Sequence, residues 1–459
     1  MLGVGLSLTG RLRSSVFSPA SLFRASEPGV WYDPSDLTTL FQDTAGTQPV
    51  TAAGQTVARV NDKSGGGNHA TQATAASRPT YGIVPRTGRR NLLTFTEEFD
   101  NAGWVKADTT VTANNAVAPN GTTTADLASA SSSGTFRYIR QSLSLTPTTY
   151  TLQMAVKSNG TAQWVWLLGE TSADTFFWFD IVNGVIGGSG TQTGGAISGQ
   201  TYNHSIENLG NGWYLCKATF VKTSATKVEE IGFGFSNANA SASAAAGQSC
   251  LVWGAQLETG STATAYQRVG SQFDVTEAGV PSLHYLSFDG TDDFLITPTI
   301  TPGIDKAQVF AGVRKIGTGA STLVEVSADS GTQNGSFGLF APSGFGNDYF
   351  LSSRGSVTQS TTTGANTFVA PITNVLTGLC DISGDRVILR VNGTQAAQST
   401  ADQGTGNFLA YPIYIGRRGG TTLPFNGNIF SLVVRFGANL DANTITNTET
   451  WVNGKTGAY

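Results

Sequence analysis

The side chains in this chain best suited to chemistry are flat aromatic rings rather than catalytic groups. Trp164, Trp166, Phe176, Trp178 and Trp213 fall in one stretch of the middle of the sequence. Alternate residues of a strand share a face, so Trp164 and Trp166 lie together, as do Phe176 and Trp178, while Phe177 and Phe179 take the other side. A strand that is aromatic on both faces carries more rings than one core needs. Planar rings stack on the apolar C–H faces of sugars, and a side chain with two torsions loses little freedom in doing so. These five are candidate carbohydrate-binding residues. The same rings also build cores and subunit interfaces.

Carboxylates form the second candidate group. Asp289, Asp292 and Asp293, in FDGTDDF, place three hard oxygen ligands in one loop and are candidate calcium ligands. An Asp-Gly pair between two apolar runs also reads as a hairpin turn, and both readings stand on sequence alone. Catalytic patterns are lacking. Glycoside hydrolysis needs two carboxylates about 5–10 Å apart, and no strand-like run carries acids alternating on one face. Glu325 and Asp329 are separated by Val-Ser-Ala, and Glu97 and Glu98 point to opposite sides if extended. His69, His204 and His284 have no metal-hydrolase spacing, and neither a G-x-S-x-G nor a phosphate loop occurs. The chain reads as a binding or structural protein rather than an enzyme, with no cofactor beyond the candidate Ca²⁺.

The elements that must hold these residues are strands. Gly numbers 56, aromatics reach 10% and charged residues only 13%, a balance that argues against disorder and for many short strands and turns. No apolar run is long enough to span a membrane. A net charge of −4 leaves no basic footprint for nucleic acid. Cys216, Cys250 and Cys380 lack metal-ligand spacing and read chiefly as small buried apolar residues. The opening MLGVGLSLTGRLRSS has no cationic start before its short apolar stretch and is not read as a secretory signal.

Residues 1–26 carry Arg11, Arg13 and Arg24, no acid and many large apolar residues, and are expected to be an extended arm that docks on a partner. Residues 27–88 hold a strand and turn signals but are too few to close a core. From 89 to 270, period-2 segments such as YTLQMAVKS, AQWVWLLGE, FFWFDIVNG, WYLCKATFVK and CLVWGAQLE are separated by Asn-Gly turns, the pattern of an antiparallel sandwich. Residues 271–459 repeat the style, then close with a helix capped by Asp441 and expected to stop at Gly454.

The run WYDPSDLTTLFQDTAGTQPVTAAGQTVARVNDKSGGGNHATQATAASRPTY resembles the opening of the concanavalin A-like (laminin G-like) sandwich of phage tail-fibre and head-fibre proteins. YLSFDGTDDFLITPTI, VFAGVRK, YPIYIGRRGG and LPFNGNIFSLVVR resemble its continuation. The middle, from NLLTFTEEFDNAGWVK to LVWGAQLETGSTATAYQRV, is similar to the jelly-roll modules of phage head-spike and fibre proteins and, through them, to carbohydrate-binding modules. The resemblance implies an all-β chain of two antiparallel sandwiches, a carbohydrate-binding-module-like jelly roll at 89–270 inserted into a concanavalin A-like sandwich formed by 27–88 and 271–459. It implies a virion-surface fibre or spike protein, assembled in the host cytoplasm. Residues 1–26 would contact other virion proteins, a host surface polysaccharide would be the ligand, and a homo-oligomer, a trimer foremost, would be the assembly. A purely architectural decoration protein is the alternative, with a glycan-degrading enzyme behind it.

Overall fold

In the computed structural model, residues 17–170, 173–193, 196–199, 202–223, 229–342 and 347–459 are described. Among the described residues the chain is all-β apart from three short 3-10 turns and the helix Ala442–Thr456. It divides into two compact units, one formed by the residues up to Gly82 together with Leu283–Tyr459, the other by Ile83–Ser282.

The inserted unit is a sandwich of two antiparallel sheets. One runs in the order Ala196–Gly199, Val185–Thr193, Asp174–Asp180, Trp164–Glu170, Glu229–Ser236, Tyr138–Leu143, Val105–Ala107. The other runs Asn203–Gly210, Trp213–Val221, Thr149–Ser158, Ser249–Thr259, Ala125–Ala130, Thr109–Ala116. Their facing sides form the core. Val165, Leu167, Phe177, Phe179, Phe233 and Phe235 come from the first sheet, and Leu152, Met154, Val156, Phe220 and Val252 from the second. Cys216 and Cys250 are free thiols in this core, and burial pushes the Cys250 thiol up to about 12.

The unit borders lie a few residues outside the 89 and 270 read from the sequence. The reason is a set of polar ties across the base of the insertion. Ile83 N–H donates to Phe273 O (2.8 Å) and Arg86 N–H to Pro281 O (2.9 Å). Arg90 forms a two-pronged ion pair with Glu277 (2.9 and 3.0 Å), and Gln267 accepts from Arg90 N–H (2.7 Å). Residues 83–88 and 271–282 are thereby bound to the inserted unit.

The split unit is also a two-sheet sandwich. Its first sheet includes Asn426–Phe436, Lys306–Lys315, Ile372–Asp381, Arg386–Val391 and Thr394–Ser399, with Gly29–Tyr32 paired on Asn426–Phe436. Its second runs from Leu40–Phe41 through Arg59–Val60, Ala70–Thr71, Leu295–Ile296, Ile413–Ile415, Thr322–Val326, Ser336–Phe340 and Phe350–Arg354 to Thr358–Thr362. The 27–82 segment therefore completes both sheets with strands that the C-terminal segment lacks. Phe337 of the second sheet packs on Phe436 of the first with ring centroids 6.2 Å apart.

Two expectations about the ends of this unit change. The helix starts at Asp441, whose carboxylate accepts from Thr444 N–H (2.8 Å), but it runs through Gly454 to Thr456. A helical Gly costs only about 1 kcal/mol, and Val452 before it and Thr456 after it are both buried, so the left-handed Gly457 (φ 65°) ends the helix instead. Of the expected docking arm, residues 1–16 lie outside the described residues. Phe17–Phe23 belong to the chain's own fold. Pro19–Phe23 is a 3-10 turn whose Leu22 and Phe23 are buried with Trp31, Phe310, Val433 and Val452, and Arg435 Nε donates to Leu22 O (2.8 Å). Those two apolar residues serve the core, not a partner.

Candidate functional site

Four neighbouring strands of the inserted unit's first sheet bring the aromatic residues together on the face opposite the core. The registers explain how. Tyr138 pairs with Gly234, Gly234 with Trp166, and Trp166 with Trp178, so one row crosses all four strands. Arg140, Gly232, Leu168 and Phe176 form the next row. Strand alternation puts Ile231, Phe233 and Phe235 in the core and leaves Gly232 and Gly234 on the outer face. Glycine is required there, because a Cβ on Gly234 would lie 2.2 Å from the Trp166 ring. The missing side chain is the space the indole fills.

The rings form a continuous stack. Phe176 lies stacked on Trp178 (5.7 Å) and edge-on to Trp166 (5.0 Å), Tyr138 meets Trp166 edge-on (6.3 Å), and Phe136 leans on Phe176 (5.8 Å). Both buried indoles have a partner for the N–H, Trp166 to Phe235 O (3.1 Å) and Trp178 to Ser241 O (2.7 Å). A register shift between Phe177 and Phe179 falls at Trp178, a bulge that locally increases strand twist beside the stack. Phe136 has a left-handed backbone (φ 58°), an uncommon and costly conformation for a large side chain.

Above these rings lies a cleft of about 170 Å³ lined by Phe136, Tyr138, Trp166, Leu168, Asp174, Phe176 and Glu230. With a water's share of liquid at about 30 Å³, this is roughly six waters, room for one ring-sized group. Glu230 is ion-paired with Arg140, whose guanidinium sits over the Tyr138 ring at 4.9 Å. Asp174 also lines the cleft. The cleft can therefore offer apolar ring surface from the half-buried Phe136 and Tyr138 and hydrogen-bond acceptors from two carboxylates.

Of the five aromatic candidates, the structure brings four into this cluster. Trp166 and Phe176 line the cleft, Trp178 supports them from below, and Trp164 packs at the margin, partly buried. Trp166 and Trp178 expose nothing (0%) and Phe176 2%, so their rings are walls and floor rather than open platforms. Trp213 is elsewhere. It lies on the outer face of the second sheet, buried with Leu251 and Trp253. Sequence reasoning passed over Phe136, Tyr138, Asp174 and Glu230. FRYIRQSLSL shows period-2 alternation that marks Tyr138 and Arg140 as one face, but nothing local reveals which strands they join.

The acidic loop of the split unit is built as a turn. Carboxylate oxygens of Asp289, Asp292 and Asp293 all lie within 4.8 Å of one another. Asp289 Oδ1 accepts from Thr291 N–H (2.7 Å) and Asp292 N–H (3.2 Å), Asp293 Oδ2 from Asp289 N–H (3.0 Å), and Asp292 Oδ2 from Ser77 Oγ (2.7 Å). Gly290 takes the positive φ (76°) that the turn needs. Burial, then the charges of Asp289 and Asp292, push the Asp293 carboxyl up to about 7. Hydrogen bonds inside the turn thus engage the carboxylates of Asp289 and Asp293, and Ser77 engages that of Asp292, so the residues suit a turn without requiring a cation.

No protein-family model matches the chain, and no curated protein is similar to it. Solved structures share partial similarity. The CBM40 of the Ruminococcus gnavus IT-sialidase, bound to α2,3-sialyllactose, is 18% identical over 31% of this chain and 82% of that one, with a TM-score of 0.26. The receptor-binding domain of botulinum neurotoxin mosaic serotype C/D is 12% identical over 36% of this chain and 42% of its own, with a TM-score of 0.29. The heptameric SAP-like pentraxin of Limulus polyphemus is 15% identical over 35% of this chain and 78% of its own, at 0.28. The functional reading rests on the side chains, not on these likenesses.

Proposed function

We propose that this chain is a virion-surface fibre or spike protein whose inserted sandwich binds a glycan of the host surface. One observation carries the glycan part: an outward-facing cleft, sized for one sugar ring, that combines aromatic surface with carboxylate acceptors on a rigid sheet. The virion part is supported by the resemblance of the sequence to phage fibre and spike proteins, and an oligomer would multiply weak single-site affinity. Glu230 is held by Arg140 rather than poised as a free acid, which favours binding over hydrolysis.

The test is a titration of bacterial surface polysaccharide and its fragments onto the full chain. Binding that falls at least about tenfold in Tyr138→Ala and Phe136→Ala, with no new reducing ends on long incubation, is the expected result. Labelling of phage particles by an antibody to the 283–459 region tests the virion assignment.

A second reading has its own observation. Trp166, Phe176, Trp178 and Trp213 are all buried, as a decoration protein without a ligand would have them. Absence of any polysaccharide binding, together with labelled particles, decides for that architectural role.

A further inference from the structure

We infer that the edge strand Thr358–Thr362 of the split unit is a self-association surface, pairing antiparallel with the same strand of a second copy of this chain about a two-fold axis through Ser360.

An edge strand presents a row of unpaired N–H and C=O groups, and natural sheets blunt it with charges, proline, bulges or brevity. Other edge strands of the molecule are blunted in this way. Thr109–Ala116 and Thr394–Ser399 each carry a register shift against their inner neighbour. Asn203–Gly210 has a shift too, and the exposed Glu207 besides. Thr358–Thr362 has none of these devices. It closes the nine-stranded sheet, pairs with Phe350–Arg354 without a shift, and reads Thr-Gln-Ser-Thr-Thr. No charged residue occurs between Arg354 and Asp381.

The ladder fixes which backbone groups are open. Thr363 N–H donates to Tyr349 O (2.9 Å), so Thr363 faces the neighbouring strand. Antiparallel pairing alternates, so Thr361 and Gln359 face that neighbour too, while Thr358, Ser360 and Thr362 turn their N–H and C=O to the open side. Ser360 and Thr362 are exposed, in keeping with that direction. The Thr358 and Thr362 hydroxyls are held by Arg354 and Asp348 of their own chain and do not cap the edge.

This row is self-complementary. A two-fold axis perpendicular to a sheet passes through a directly opposed pair, one residue facing its own copy. Centred on Ser360, it sets Ser360 against Ser360 of the second copy, and Thr358 against Thr362 in both directions. These are the outward-turned residues, and each opposed pair exchanges two hydrogen bonds, about six in all. Centring on Gln359 or Thr361 would oppose groups already used by the ladder. Small hydroxyl side chains meet on one face and Gln359 meets Thr361 on the other, favourable or neutral cross-strand neighbours with no like charges opposed. The contact is isologous and joins chains in pairs, so the three-fold assembly implied by the fibre resemblance would need a different surface. With five residues a side, pairing is concentration-dependent rather than permanent.

The experiment is sedimentation equilibrium of the full chain over a concentration series, with Ser360→Lys, Ser360→Glu and an equimolar mixture of the two. Wild type is expected to pass from monomer to dimer as concentration rises. Each charged variant sets like charges face to face across the axis and is expected to weaken dimerisation about fivefold. Mixing the two variants opposes unlike charges and is expected to restore it. Should a variant misfold, wild type still decides: amide exchange at Thr358, Ser360 and Thr362 slows as concentration rises, while that at Gln359 and Thr361, protected by the ladder, does not change. A chain that stays monomeric throughout overturns the inference. So does a dimer or trimer that both charged variants form as readily as wild type, and so does weakening that the mixture fails to restore.

Discussion

The inserted sandwich has two outer faces, both of which carry buried aromatic clusters, and the charged cleft described above lies on the first of them. On the first sheet, Trp166, Phe176 and Trp178 are joined by the half-buried Phe136 and Tyr138, with Asp174, Glu230 and Arg140 around them. On the second, Trp213, Leu251 and Trp253 pack with Ala118, Ala125 and Ala155. There Trp253 donates to Thr124 (3.0 Å), and Tyr266, whose ring lies 4.6 Å from Trp253, hydrogen-bonds Thr96 (2.7 Å). Small alanines and satisfied polar tips close that face. On the other face Gly234 gives its space to the Trp166 indole, and charged residues stand among the rings that line the cleft. An excess of rings in a sequence thus has two outcomes, decided by the neighbours across the ladder.

The comparison can be broken most severely at Trp253. Trp253→Ala empties a buried site and is expected to cost about 3–5 kcal/mol in the stability of the inserted unit, with ligand affinity unchanged in the fraction that folds. Lost affinity at full stability would show the closed face to be a binding face. Gly234→Ala comes next. Its Cβ would sit 2.2 Å from the Trp166 ring and 2.5 Å from Arg137 O, so overpacking of about 1–3 kcal/mol and loss of the cleft are expected together. Thermal melts and ligand titration of the same variant read both effects.

A smaller effect concerns the base of the insertion and leaves both faces alone. The Arg90 hydrogen bond holds the Glu277 carboxyl below its usual range. A depressed carboxylate contributes stability above its unfolded pKa, and that contribution is lost as pH falls through the folded value. Glu277→Gln is therefore expected to destabilise the inserted unit at neutral pH by about 1 kcal/mol for a partly exposed two-pronged pair, seen as a lower melting temperature. The difference from wild type should vanish in acid. The smallest expected effect is that of calcium. Millimolar Ca²⁺ should leave the melting temperature of the split unit unchanged, because the acidic turn is held by its own hydrogen bonds. A rise abolished by Asp292→Asn would make the turn a cation site.

Much of this was legible in the sequence, and the physical reason is the period of a strand. Alternation alone puts Trp164 with Trp166 and Phe176 with Trp178, and it sets Phe177 and Phe179 on the other face, though only the structure shows that this second face is the core. The cleft itself was not legible. Phe136, Asp174 and Glu230 reach it from three separate parts of the chain, and the left-handed turn at Phe136 has no glycine or asparagine to announce it. A search for paired acids along one strand could not find Asp174 and Glu230, which line one cleft from two different strands. Leu22 and Phe23 misled for a related reason, since apolar residues in a short leading segment look alike whether their partner is another protein or a strand some four hundred positions later.

That last pairing has a temporal side. Gly29 lies opposite Arg435 and Tyr32 opposite Leu432 in one ladder. A ribosome therefore releases the first edge of this sheet long before the strand it must join exists. The inserted unit draws all its strands from one continuous stretch and can fold while synthesis continues. Its folding draws the two ends of that stretch together, so the split unit closes a much shorter effective loop. The order of assembly is written into the topology, with the inserted sandwich first and the split one last.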